Sequence, residues 1–239
     1  MSDDRPLSAA VFASGGGTNL QSLLDHQATD PPWRIRLVVS DRDDAGALER
    51  AGRAGVDTRV VPTRDRPPDE VAGEILFALD AHDVKLVFLA GYLKLVPAQV
   101  VATYRRRILN IHPALLPGFG GKGMYGMKVH RAVLEAGARV SGATVHYVDE
   151  EYDRGTILAQ WPVPVLSDDT PQALAARILE VEHLLYPRAA DHLARAVQAG
   201  QEAGPLVLPG AAFSLVEEAG RTSLASLAGQ SAPEASDAP

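Results

Sequence analysis

The segment LSAAVFASGGGTNLQSLLDH, residues 7–26, opens with an apolar run, passes through Gly15, Gly16 and Gly17, and ends in a helix-like stretch. An apolar run of this length closed by a glycine turn predicts a buried strand, followed here by a helix over Leu20 to His26. The same alternation continues to about Leu89 through IRLVVS, ALERAGRAG, TRVVP, the stretch from Asp69 to Asp80, and KLVFLA. Such βα units feed a Rossmann-like parallel sheet with helices on both faces. The turns that follow its strands gather along the carboxyl edge, where ligands of doubly wound folds bind.

Beyond RRRILNIH, residues 105–112, the pattern changes. VSGATVHYV alternates in period two, and ILAQWPVPVL carries Pro162 and Pro164. Proline cannot donate into a central ladder, so these predict antiparallel or edge strands that extend the parallel half into a mixed, twisted α/β sheet. Thr170 and Pro171 form an N-cap and first-turn pair. The helix they open carries Leu174, Ile178 and Leu185 near one face and is expected to break or kink at Pro187. Residues 1–200 are expected to form a single domain and 201–239 a C-terminal extension. Its last fifteen or so residues, rich in Ala, Ser, Gly and Pro, bury too little to offset ordering entropy and are expected to be disordered.

The 239 residues are 46% hydrophobic, enough for a sizeable core, and carry a formal net charge of −7. No global positive field is present to hold nucleic acid. Without cysteine there is no disulfide, thiolate nucleophile or thiolate-bound metal, in keeping with a reducing compartment. The opening MSDDRPLSAAVF lacks the basic flank and long apolar run of an export signal, and no stretch approaches the roughly 20 apolar residues that span a bilayer. A cytoplasmic protein with no membrane partner is expected.

The glycines between the first strand and helix allow close backbone approach, and the free amides of a helix N-terminus favour phosphate. No Lys-Ser or Lys-Thr completes a nucleoside-triphosphate loop, and the G-x-G-x-x-G spacing of dinucleotide folds is absent at this turn. That absence also argues against a dehydrogenase. A single phosphate monoester fits, with Gly17, Thr18 and Asn19 as its candidate ligands.

Asn110 and His112 fall two apart at the end of a strand, hence on one face. An amide and an imidazole so placed can polarise a carbonyl and hold the oxyanion formed on nucleophilic attack. The histidine serves that task best as imidazolium, which a nearby carboxylate favours. Asp153 is the candidate, with Asp149, Glu150 and Glu151 left open by spacing. His130 and His192 fall in helix-like segments and are expected at the surface or in packing; His146, on the alternating strand, is consistent with either face.

The motifs SGGGTNLQ, LAGYLKLV, ILNIHPALLPGF and SGATVHYVDEEYDRGTILAQ together resemble those of the phosphoribosylglycinamide formyltransferases, in one consistent order from about Leu7 to Ala199. NIHPxLLP is shared by the wider formyltransferase superfamily, whereas SGGGTNLQ resembles the phosphate loop of the glycinamide ribonucleotide enzymes. The resemblance implies a formyltransferase-like fold and formyl transfer from 10-formyltetrahydrofolate, a cosubstrate, to glycinamide ribonucleotide in purine biosynthesis. It implies no metal and small-molecule partners only, for a monomer or homodimer. Asn110, His112 and Asp153 would be the catalytic trio, and Glu182 would join Gly17, Thr18 and Asn19 on the ribonucleotide. Arg66, with Arg64 as rival, would contact the folate together with Leu93, Lys94, Leu95, Val96 and Asn110. The long glycine-rich segment Gly118 to Met127 reads as a mobile cover over the site. A hydrolase of 10-formyltetrahydrofolate and a non-catalytic sugar-phosphate-binding protein are the rival readings.

Overall fold

Successive residues of a strand point to opposite faces of its sheet, and here each face meets its own layer of helices. The structure is a computed structural model that describes residues 5–206 and two short strands at 214–217 and 220–223. Its main sheet contains β1 (Leu7–Phe12), β2 (Trp33–Ser40), β3 (Asp57–Val60), β4 (Leu86–Leu89), β5 (Ile108–His112), β6 (Val140–Tyr147) and β7 (Ile157–Pro164). The spatial order is β3-β2-β1-β4-β5-β6-β7. The first five strands pair in parallel, while β6 is antiparallel to β5 and β7 to β6. The mixed α/β sheet expected from the sequence is the one observed, with the proline-bearing strand β7 at its edge.

The helices are α1 (Thr18–His26), α2 (Gly46–Arg53), α3 (Pro68–Ala81), α4 (Ala98–Thr103), α5 (Met127–Glu135) and α6 (Pro171–Gln198). Ala9 and Val11 of β1 pack with Leu20 and Leu23 of α1 and with Leu185, Tyr186 and Ala189 of α6. Their neighbours Ala10 and Phe12 pack on the other face with Val71, Ile75 and Leu79 of α3 and Val100 of α4. One strand thus stitches two cores together.

α6 runs unbroken through Pro187, which excludes the break, one of the two outcomes expected there. Proline inside a helix forfeits a hydrogen bond and costs about 3 kcal/mol. Around it, however, Leu185, Tyr186, Ala189, Ala190 and Leu193 are all buried, and each large apolar side chain repays roughly 1.5–3 kcal/mol. The Tyr186 hydroxyl further ties the helix to the sheet, lying 2.9 Å from the Leu89 carbonyl and 3.0 Å from that of Leu109. The start of α6 is as expected: Thr170 Oγ1 accepts the Ala173 amide at 3.1 Å.

The chain after Gly200 returns to the sheet, where the Tyr147 hydroxyl donates to the Ala203 carbonyl and the Leu206 amide to that of Leu158. β8 (Ser214–Glu217) and β9 (Gly220–Ser223) pair antiparallel. The disorder expected of the last fifteen residues lies outside the described residues. Among the described residues no helix is long and apolar enough to cross a membrane.

Candidate active site

The strand order turns back between β1 and β4, and a crevice opens there at the carboxyl edge of the sheet. It holds a cavity of about 620 Å³. Thr18 and Asn19 of α1, the loop from Leu93 to Val96 after β4, and Asn110 and His112 of β5 supply part of its wall. The remainder includes the segment Gly121 to Met127, His146 of β6, Asp153 of the following loop, and Glu182 of α6.

Asp153 resolves the choice among the four acids that spacing left open. Its Oδ2 lies 3.5 Å from His112 Nδ1 and its Oδ1 3.5 Å from Asn110 Nδ2. Asp149 instead accepts the Glu151 amide within its own turn. The glycine-rich segment fastens the group from outside. His112 Nε2 donates to the Phe119 carbonyl at 2.9 Å, and the Gly121 amide donates to Asp153 Oδ2 at 2.8 Å. At Gly120 a Cβ would run into the Leu116 side chain and come within 3.1 Å of Asp153 Cβ, so glycine permits this approach. The expected cover therefore has its base bonded to the site, and its outer part, Lys122 to Met127, walls the cavity.

Burial pushes the His112 pKa below its ordinary value, although Asp153 and the Phe119 carbonyl pull the other way. This works against the charged ring expected from the sequence: in a group 3% exposed, loss of solvent outweighs one carboxylate 3.5 Å away. For Asp153, burial pushes upward, but the imidazoles of His146 and His112, each 3.5 Å from its carboxylate, and the Gly121 amide together hold it below the usual carboxylate range.

Two further histidines line the cavity. His130 is buried and lines the cavity, its Nδ1 without a hydrogen-bond partner among the described residues. Burial and His112 lower its pKa. His146 turns into the site, its Nε2 3.0 Å from Asn110 Nδ2 and 3.5 Å from Asp153 Oδ1. Its position opposite Asn110 in the β5–β6 register is a tertiary fact. Period-two alternation was the available signal, and it marks a face without saying what the face meets. His192, bonded to the Gly204 carbonyl, lies at the surface as expected.

At the other end, Gly17 is the N-cap of α1 with φ +75°, and a Cβ there would come within 2.8 Å of Ala47 Cα. Thr18 and Asn19 form the cavity wall at this end, and Gly17 is not part of it. Asn19 Nδ2 donates to Glu182 Oε2 at 2.9 Å. Burial raises the Glu182 carboxyl to about 7, the Asn19 hydrogen bond opposing only in part. Sequence reasoning missed Arg50, whose Nε donates to the Gly16 carbonyl at 2.7 Å and whose Nη1 donates to Gln21 Oε1 at 3.1 Å. It sets a cation beside the glycine loop.

Leu93 to Val96 line the cavity, with the Leu93 amide donating to Ser14 Oγ at 3.0 Å. Lys94 Nζ lies 3.7 Å from Asp41 Oδ2. Arg66 is not brought there: its guanidinium is held by Glu74 at 2.9 Å and the Pro62 carbonyl at 3.1 Å. Its rival Arg64 is exposed beside Asp65. Among the described residues no cluster of three or more His, Cys, Asp or Glu side chains is arranged to hold a metal.

The family described as formyl transferase matches residues 7–190. The chain is 48% identical over 182 residues to the chloroplastic phosphoribosylglycinamide formyltransferase of Arabidopsis thaliana, covering 74% of this chain and 62% of that protein. It thus spans about three fifths of the length of the plant relative. To the phosphoribosylglycinamide formyltransferase of Escherichia coli K12 it is 34% identical over 183 residues, covering 76% of this chain and 84% of the relative. The crystal structure of glycinamide ribonucleotide transformylase 1 from Symbiobacterium toebii superimposes with a TM-score of 0.72 at 42% identity, covering 80% of this chain and 88% of that one.

Proposed function

The chain belongs to the formyl transferase family, and from that premise we propose that it transfers the formyl group of 10-formyltetrahydrofolate to the amine of glycinamide ribonucleotide, a step of purine biosynthesis in the cytoplasm. One observation carries this reading. A single cavity joins the Asn110, His112 and Asp153 cluster to Thr18, Asn19 and Glu182 at the phosphate-loop end. A reacting carbonyl and a phosphorylated acceptor fit its two ends.

The residues suit both substrates. Leu89, Val96, Ile111 and Val148 offer apolar wall, and the backbone from Leu93 to Val96 offers hydrogen-bonding groups to the edge of a flat pterin. Thr18 and Asn19 at the start of α1 suit a phosphate, and Glu182 suits sugar hydroxyls.

In the proposed reaction the uncharged amine attacks the formyl carbon, and the carbonyl electron pair moves to oxygen. Asn110 and His112 flank that oxygen, and Asp153 accepts a proton from the attacking nitrogen. Collapse breaks the carbon bond to the folate N10, which takes up the proton. Direct transfer suits a site with no cysteine nucleophile. The test is an absorbance assay for deformylated folate with purified protein, with and without glycinamide ribonucleotide. Turnover that requires the ribonucleotide is expected. Turnover that proceeds equally without it would mean that water is the acceptor and that the chain is a hydrolase, and no turnover in either case would leave a binding protein.

A further inference from the structure

His146 is a buried cavity group outside the trio. It is 2% exposed, pairs directly across from Asn110 in the antiparallel register, and adjoins the irregularity between Val145 and His146 in the β6–β7 pairing. Such irregularities re-aim side chains. His146 Nδ1 lies 2.8 Å from the Tyr147 carbonyl. A carbonyl only accepts, so Nδ1 carries a hydrogen, and in the neutral ring Nε2 is an acceptor. The atom 3.0 Å from that acceptor must be a donor, and it is Asn110 Nδ2. The same nitrogen faces Asp153 Oδ1 at 3.5 Å.

A neutral His146 therefore draws the NH2 of Asn110 towards itself and Asp153, leaving the amide carbonyl as the group Asn110 can offer a substrate. A proton on Nε2 reverses this. The ring nitrogen becomes a donor facing a donor, and the conflict is relieved when the amide rotates by half a turn. Oδ1 then accepts from His146, and the NH2 turns to the cavity. The titratable groups facing His146 are Asp153, 3.5 Å from Nε2, and His112 of β5, on the other oxygen of that carboxylate.

We propose that His146 is a positioning residue whose proton sets the orientation of the Asn110 amide. With the ring neutral, Asn110 accepts a hydrogen bond from the attacking amine. With the ring charged, Asn110 donates to the developing oxyanion. The proton is the one released by the amine nitrogen as the new C–N bond forms; it travels by Asp153 and returns to the departing folate nitrogen. The catalytic consequence rests on the formyl-transfer reading, whereas the coupling of tautomer and amide does not.

The closing experiment separates the two. In 15N-labelled protein, imidazole spectra should give His146 as the Nδ1-protonated tautomer, with a scalar coupling from Nε2 to Asn110 Nδ2. On acidification that coupling should vanish, and the Asn110 amide should shift in step with the His146 titration. An Nε2-protonated tautomer, or an Asn110 amide indifferent to that titration, overturns the proposal whatever the enzyme turns over. In kinetics, His146→Phe should lose about tenfold or more in kcat, with KM within about threefold. It should add nothing further in an Asn110→Ala background, and His146→Gln should restore part of the loss and covers the case where the Phe variant fails to fold. Losses that multiply in the double variant also overturn it.

Discussion

His112 Nδ1 faces Asp153 Oδ2 at 3.5 Å, and the glycine-rich segment that separates them in sequence grips both, Phe119 taking the hydrogen of His112 and Gly121 giving one to Asp153. The segment is thereby part of the electrostatic setting of the site as well as its wall.

Asp153 is the largest influence holding the His112 pKa up against burial. Asp153→Asn should therefore lower the His112 midpoint further below the ordinary 6.5. NMR titration of the ring in both proteins checks this, and an unchanged or higher midpoint in the variant would show that the two groups are not coupled.

Asn110→Ala and His112→Ala should each reduce turnover by about 10²- to 10³-fold, the usual cost of one oxyanion donor. Circular dichroism should show the fold intact. Near-normal kcat in either variant would remove that residue from the proposed chemistry.

Glu182 is a buried acid whose folded pKa, about 7, lies above its ordinary 4.5. The folded state thus holds the proton more tightly than the unfolded chain. Stability is fully present below about pH 4.5, declines as pH rises, and has lost its full share once pH passes about 7, roughly 3 kcal/mol in all at about 1.4 kcal/mol per unit. Glu182→Gln should flatten this decline. Urea unfolding across that window is the check, and parallel profiles for the two proteins would contradict the assignment.

Tyr186→Phe removes the donor beneath Leu89 and Leu109 while keeping the ring. A buried carbonyl left unpaired costs about 1–3 kcal/mol, and for a chain of this size Tm should fall by roughly 2–4 °C per kcal/mol. A calorimetric Tm equal to that of the unmodified protein would mean the bond contributes nothing net.

Gly17→Ala forces a Cβ to within 2.8 Å of the Ala47 backbone at a positive φ, whereas Gly16→Ala meets nothing within 4 Å. The first change should cost about 1–3 kcal/mol and weaken calorimetric binding of a sugar phosphate. The second should leave stability within about 0.5 kcal/mol. Equal effects from both would show that close packing of α2 does not shape the loop.

Much of the fold was legible in residues 7–112, because a parallel sheet covered on both faces writes each strand as an unbroken apolar run between turn signals. The antiparallel extension was legible from period-two alternation and Pro162. That the helix does not break at Pro187 was not legible, since a local breaker was outweighed by burial that depends on what α6 packs against. The place of Arg66 was not legible for a similar reason: Glu74, a neighbour supplied by α3, holds it outside the cavity walls.

By itself the sequence determined the sheet, the glycine turn, and the pairing of Asn110 with His112 on one face, all consequences of short-range periodicity. Only the tertiary structure selected Asp153 among four acids, turned His146 and His130 inward, and set Arg50 beside the loop. Those choices depend on register and on close approach between segments far apart in the chain. A period of two fixes a face but not its partner.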